Sequence, residues 1–149
     1  MKKIFILSLI ISYSLAVNAQ SPVKWSWSAT KMKSGIYEIH LTAKIDPGWH
    51  VYAQQQPEEA IAVPTSIKFI KNPIISFLGE IKEAGHREHF RDPELGIEAF
   101  QYAGEVDFVQ QVKLKTNGKT IVRGSISFQA CTDEKCLPPA TTEFNINLE

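Results

Sequence analysis

The sequence has no excess of either charge: 16 lysines and arginines offset 16 aspartates and glutamates over 149 residues. Nucleic acid and anionic membranes are drawn by a basic field, and this chain offers none. Cysteine is nearly absent, with only Cys131 and Cys136. Beyond Val17 no apolar run is long enough to span a bilayer. The chain also lacks a phosphate-binding glycine loop, a Ser/His/Asp nucleophile pattern and a paired-carboxylate motif, which disfavours hydrolase and transferase chemistry. Neither an amphipathic helix nor an internal repeat is found.

What is present begins at the N-terminus. Met1-Lys-Lys is a basic opening, Ile4 to Val17 is apolar apart from serines and Tyr13, and Val17-Asn18-Ala19 places small residues where a signal peptidase reads. Residues 1–19 are therefore expected to be a secretory signal peptide. Residues 20–149 form the mature domain, about 130 residues and enough for one core. No cysteine directly follows the apolar run, which argues against a lipid anchor. Export to an oxidising compartment makes a disulfide chemically plausible.

The mature chain alternates. Val23 to Ala29 puts Trp25 and Trp27 on one face, and Tyr37, Ile39, Leu41, Ala43 and Ile45 alternate with polar residues after a Ser34-Gly35 turn. Asp46-Pro47-Gly48 turns the chain into Trp49-His50-Val51-Tyr52, and a polar loop follows from Gln54 to Glu59. Ser66–Ile70 and Ile74–Leu78 are short apolar runs. From Gly85 to Gly104 the period fades, and the stretch reads as a long loop or loose hairpin. Val106, Phe108, Gln110, Val112 and Leu114 share a face, Asn117-Gly118 signals a hairpin, and Val122, Gly124, Ile126 and Phe128 follow. About eight or nine short strands with turns roughly every 8–12 residues predict an all-β, immunoglobulin-like sandwich with a long cap loop.

The cysteines of Ala130-Cys131-Thr-Asp-Glu-Lys-Cys136-Leu-Pro-Pro139 lie between two alternating runs, so they are expected to face each other at the mouth of a hairpin. Opposed antiparallel positions lie about 4.5–5.5 Å apart at Cα, which a disulfide tolerates. So short a loop would gain only about 2 kcal/mol from the bond, less than a bridge between distant strands. A structural staple and a reactive pair both remain open at this level.

The stretch resembles the N-terminal periplasmic domain of the thiol:disulfide interchange protein DsbD. Ala130 before the first cysteine and Leu137-Pro138-Pro139 after the second fit that family's pattern. Pro47 to Tyr52 is similar to its aromatic strand, and His86-Arg-Glu88-His89-Phe90 to its cap loop. The resemblance implies a thiol:disulfide oxidoreductase domain of the protein-disulfide reductase type, relaying electrons without a cofactor. Its partners would be thioredoxin-like periplasmic oxidoreductases and a membrane electron donor. Cys136 would make the mixed disulfide with partners, Cys131 would be its intramolecular partner, and Phe90, with Glu88, would belong to a shielding cap. Three departures stand out. Four residues separate the cysteines where one member of the family has five, His89 follows Glu88 where that member's cap has a second acid, and the sequence ends at Glu149 as for a stand-alone domain.

Locally, Asp133 and Glu134 oppose thiolate formation and Lys135 favours it, so exchange is expected to depend on a docked partner. Trp49, Tyr52 and Pro138 are candidate docking residues, although Trp25, Trp27, Trp49 and Tyr52 also fit a core. His86 and His89 with the cysteines offer a zinc set, disfavoured because an exported pair is more often oxidised; no metal is assigned. His40 and His50 read as surface or packing residues. The competing class is a non-catalytic β-sandwich binding module with an inert local disulfide.

Overall fold

The computed structural model describes residues 20–149; the expected signal peptide, residues 1–19, lies outside them. Nine strands are formed: β1 (Val23–Lys31), β2 (Ile36–Ile45), β3 (His50–Tyr52), β4 (Ser66–Phe69), β5 (Ile75–Asp92), β6 (Ile97–Leu114), β7 (Thr120–Phe128), β8 (Ala130–Cys131) and β9 (Ala140–Leu148). No helix forms among the described residues. One sheet runs β1-β2-β6-β3-β8 with β5 on the other side of β6, and the second runs β4-β7-β9. All pairings are antiparallel. The architecture is the expected immunoglobulin-like sandwich.

The alternation explains the core. Period two puts every second residue on one face, and Ile39, Leu41, Ala43, Val106, Phe108 and Val112 meet Val122, Ile126, Phe144, Ile146 and Leu148 from the second sheet. Gln110 shares that buried face and is satisfied there, donating from Nε2 to the Leu78 carbonyl at 3.0 Å. On the outer face, His40 Nδ1 sits 2.7 Å from Asp107 Oδ2. Trp25 closes the β1 end of the core against Phe108 and Phe128, with centroids at 5.8 and 5.4 Å. Trp27, expected in the core, is 38% exposed, its ring 6.3 Å from Phe144.

One segment is more regular than the sequence implies. Gly85–Gly104 is the outer half of a hairpin in which β5 and β6 each extend for 18 residues. Register shifts fall between Leu78 and Lys82 and between Gly85 and Arg87. At its tip the Asp92 carboxylate accepts from the Glu94 and Leu95 amides at 3.0 and 3.1 Å. The long cap loop is therefore a β-arm, paired along its length by ladder hydrogen bonds.

Candidate functional site

Two chain reversals build the site. Asp46-Pro-Gly48 turns with the Trp49 amide donating to the Asp46 carbonyl at 3.1 Å, and Gly48 takes the left-handed φ of 80° that a side chain would resist. This delivers His50 and Tyr52 to one face of β3. At the far end of β7 the chain leaves the second sheet at Gln129, and β8 joins the first sheet beside β3, with His50 opposite Cys131 and Val51 opposite Ala130. Val51, Tyr102 and Ala130 take the core face, so His50 and Cys131 occupy the outer face.

The cysteine loop is a tight turn held by its own backbone. Thr132 N–H donates to the Lys135 carbonyl at 2.7 Å, and its Oγ1 accepts from the Glu134 and Lys135 amides at 3.2 and 3.1 Å. Leu137 N–H returns to the Ala130 carbonyl at 2.9 Å. Four intervening residues thus bring the cysteines together as expected: a disulfide joins them, with Cα atoms 4.0 Å apart. The two cysteines differ in exposure. Cys131 is 0% exposed, whereas Cys136 belongs to the exposed residues of the loop.

Cys136 lines a cavity of about 320 Å³. The same period-two rule assembles its floor: His50 and Tyr52 from β3, Ala99 and Gln101 from β6, and Phe90 from β5 all face one way. Glu88 lies in register with Gln101, whose Nε2 donates to Glu88 Oε2 at 3.3 Å. Phe90 and Cys136 therefore share one cavity, with Glu88 beside it. Three apolar side chains at its edge stand in solvent: Ile61 is 78% exposed, Leu95 70% and Phe90 40%. The loop bearing Ile61 is anchored by Gln56, whose side chain bonds both backbone groups of Phe100 at 2.7 and 3.0 Å, and by Thr65 Oγ1 on the Tyr52 carbonyl at 2.6 Å.

Electrostatics single out His50. It is 8% exposed, and its ring meets Tyr52 edge-on at 5.4 Å. Burial holds its imidazole below the ordinary histidine range, against the opposing pull of the Asp133 and Glu88 carboxylates. Burial also raises the Tyr52 phenol.

The other sequence candidates are dispersed. Trp49 is half-buried against the core, with Lys135 Nζ 5.8 Å from its ring centroid, and Pro138 is exposed beyond the cavity. The zinc set is not assembled. His89 lies on the face of β5 opposite Phe90, bonded to Glu98, and the cysteine sulfurs are bonded to each other. Among the described residues no group of three or more His, Cys, Asp or Glu is placed to hold a metal. Sequence reading missed Ile61 and Leu95, which sit in irregular loops, and treated His50 as a packing residue. The only sequence signal for His50 was its place next to the aromatics of a turn-initiated strand.

Fold and site together define an immunoglobulin-like β-sandwich domain presenting a disulfide with one exposed cysteine at an apolar-edged cavity. Residues 17–148 match the family described as thiol:disulfide interchange protein DsbD, N-terminal, and the chain belongs to it. The structure is similar to the N-terminal periplasmic domain of ScsB from Proteus mirabilis, with a TM-score of 0.59 at 20% identity. That match covers 90% of this chain and 49% of the other, so this chain spans about half of that one's length. It is also similar to the DsbD N-terminal domain of Neisseria meningitidis in the reduced form, with a TM-score of 0.51, 19% identity and coverage of 82% and 83%. A third similar structure is the complex between the DsbD and PilB N-terminal domains of N. meningitidis, at a TM-score of 0.50, 14% identity and coverage of 81% and 80%. No curated protein matches the chain.

Proposed function

We propose that residues 20–149 are an exported, periplasmic electron-relay domain, with residues 1–19 as its signal peptide and Cys131–Cys136 as its redox pair. The observation that carries this reading is the difference in exposure between the cysteines, with buried Cys131 bonded to exposed Cys136 at the cavity. Exchange requires in-line attack by a thiolate on a reachable sulfur. A donor dithiol, as its thiolate, attacks Cys136 Sγ; the S–S bond breaks and Cys131 leaves with the electron pair and gains a proton. The donor's second thiolate then displaces Cys136, so the donor becomes a disulfide and this pair becomes two thiols. Cys136 next attacks an acceptor disulfide, and Cys131 displaces the acceptor, which leaves reduced by two electrons.

Partners of the thioredoxin-like class fit the cavity, because Ile61, Leu95 and Phe90 offer apolar contact beside the reacting sulfur. Phe90 serves as the mobile shield and Glu88 holds the arm's register through Gln101, while Tyr52 contributes to the docking floor. Trp49 and Pro138 extend the contact surface, and a membrane protein supplies the electrons. The neighbouring structures support the reading, one being a reduced form and one a complex with another protein domain.

The test is the equilibrium reduction potential of the pair in graded dithiothreitol or glutathione buffers. A relay predicts about −120 to −270 mV, the range of known exchange proteins. A value below about −300 mV would make the bond a structural one and leave a binding module in its place.

A further inference from the structure

We propose that His50 accepts the proton of the Cys131 thiol when that thiol closes the disulfide, a step that rests on the relay reading above. Cys131 has to become a nucleophile on a fully buried sulfur, where an uncompensated thiolate is costly. Its cross-strand neighbour on the same face is His50, and directly opposed residues bring their Cβ atoms to about 4.5–5.5 Å. The pairing sets the imidazole and the Cys131 side chain side by side on one face.

The surroundings suit a base that starts neutral and ends charged. Burial favours the neutral form of His50. The cavity it faces is lined by Asp92 from β5, Gln101 from β6, Tyr52 on its own strand, and Asp133, Glu134 and Lys135 from the cysteine loop, and the charges that act on it are Asp133 and Glu88. Both carboxylates favour the imidazolium. In the step, the Cys131 S–H bond breaks and its proton moves to His50. The sulfur's electron pair forms the bond to Cys136 Sγ, and the bond from Cys136 to the acceptor breaks, releasing the acceptor's thiolate. The imidazolium then returns the proton to water.

The experiment uses the reduced protein and one equivalent of 5,5′-dithiobis(2-nitrobenzoate), followed by stopped flow from pH 5.5 to 8.5. The first thionitrobenzoate reports attack by Cys136, and the second reports closure by Cys131. In the native protein the closure rate is expected to be nearly flat between about pH 6.5 and 8, because a neutral imidazole takes the proton there. In His50→Gln it should follow the thiolate fraction, rising about tenfold per pH unit, and at pH 7 fall at least tenfold relative to the first phase. His50→Phe, which keeps an aromatic against Tyr52, should behave like His50→Gln. Superimposable closure profiles for native protein and both variants would overturn the role of His50 and leave the relay standing. Absence of a second release from the native protein would overturn both.

Discussion

Replacing Cys136 with alanine is expected to slow reaction of the reduced protein with a disulfide reagent at least about a hundredfold, a barrier increase of about 2.7 kcal/mol. The reason is access. The remaining thiol, Cys131, is 0% exposed in the disulfide-bonded fold and sits at the root of the hydrogen-bonded Thr132–Lys135 turn, so the site must open locally before a reagent reaches it. Its reaction is then limited by the population of a locally opened state. Cys131→Ala should react at the native rate in the first step, because Cys136 stays exposed, and then stop at the mixed disulfide. The thionitrobenzoate assay resolves both. Equal rates for the two single-cysteine variants would show that access does not decide which sulfur reacts.

Gly124→Val is expected to destabilise the domain by at least about 3 kcal/mol. Gly124 sits mid-strand in β7, paired with Phe144 on one side and Phe69 on the other. A Cβ there would collide with the Lys68 carbonyl oxygen and the Phe144 ring. The carbonyl is fixed by the sheet, so the ring must leave, and with it the contacts to Phe69 and Trp27 at 5.5 and 6.3 Å. At roughly 3–4 °C per kcal/mol for a domain of this size, calorimetry should show Tm falling by about ten degrees or more. An unchanged Tm would mean that the β4-β7-β9 sheet does not pack as described.

The strands that build the core were legible because each has one buried and one polar face. Tyr37–Ile45 and Val106–Leu114 alternate residue by residue, and their inward positions are the buried ones, Gln110 included. The β5–β6 arm was not legible for the opposite reason. On its β5 strand neither face of the outer half is buried, one side carrying Phe90 and the other His89 and Arg91, and only the β6 strand opposite buries side chains, at Ala99, Gln101 and Tyr102. With water on both faces of β5, nothing selects an alternating pattern there. Trp27 was misread because its alternation with Trp25 is real, but β1 is an edge strand whose outer end lies partly in solvent.

The site divides the same way. The cysteine hairpin and its bond were legible because the partners are close in sequence and flanked by clear strands. The His50–Cys131 pairing was not, since it depends on a two-residue strand that changes sheets after Gln129. Periodicity reports which face a residue takes, and is silent on which distant strand lies beside it.

The measurement that bears most directly on the relay is capture of a partner by Cys131→Ala. The partner would be a thioredoxin-fold protein reduced to its one exposed active-site cysteine, carrying a thionitrobenzoate leaving group. Attack by Cys136 should release stoichiometric thionitrobenzoate and leave a covalent one-to-one complex. That complex should dissolve in dithiothreitol and map by mass spectrometry to Cys136. A release rate no faster than that of an unstructured peptide carrying one cysteine, or a complex joined anywhere but Cys136, would contradict it.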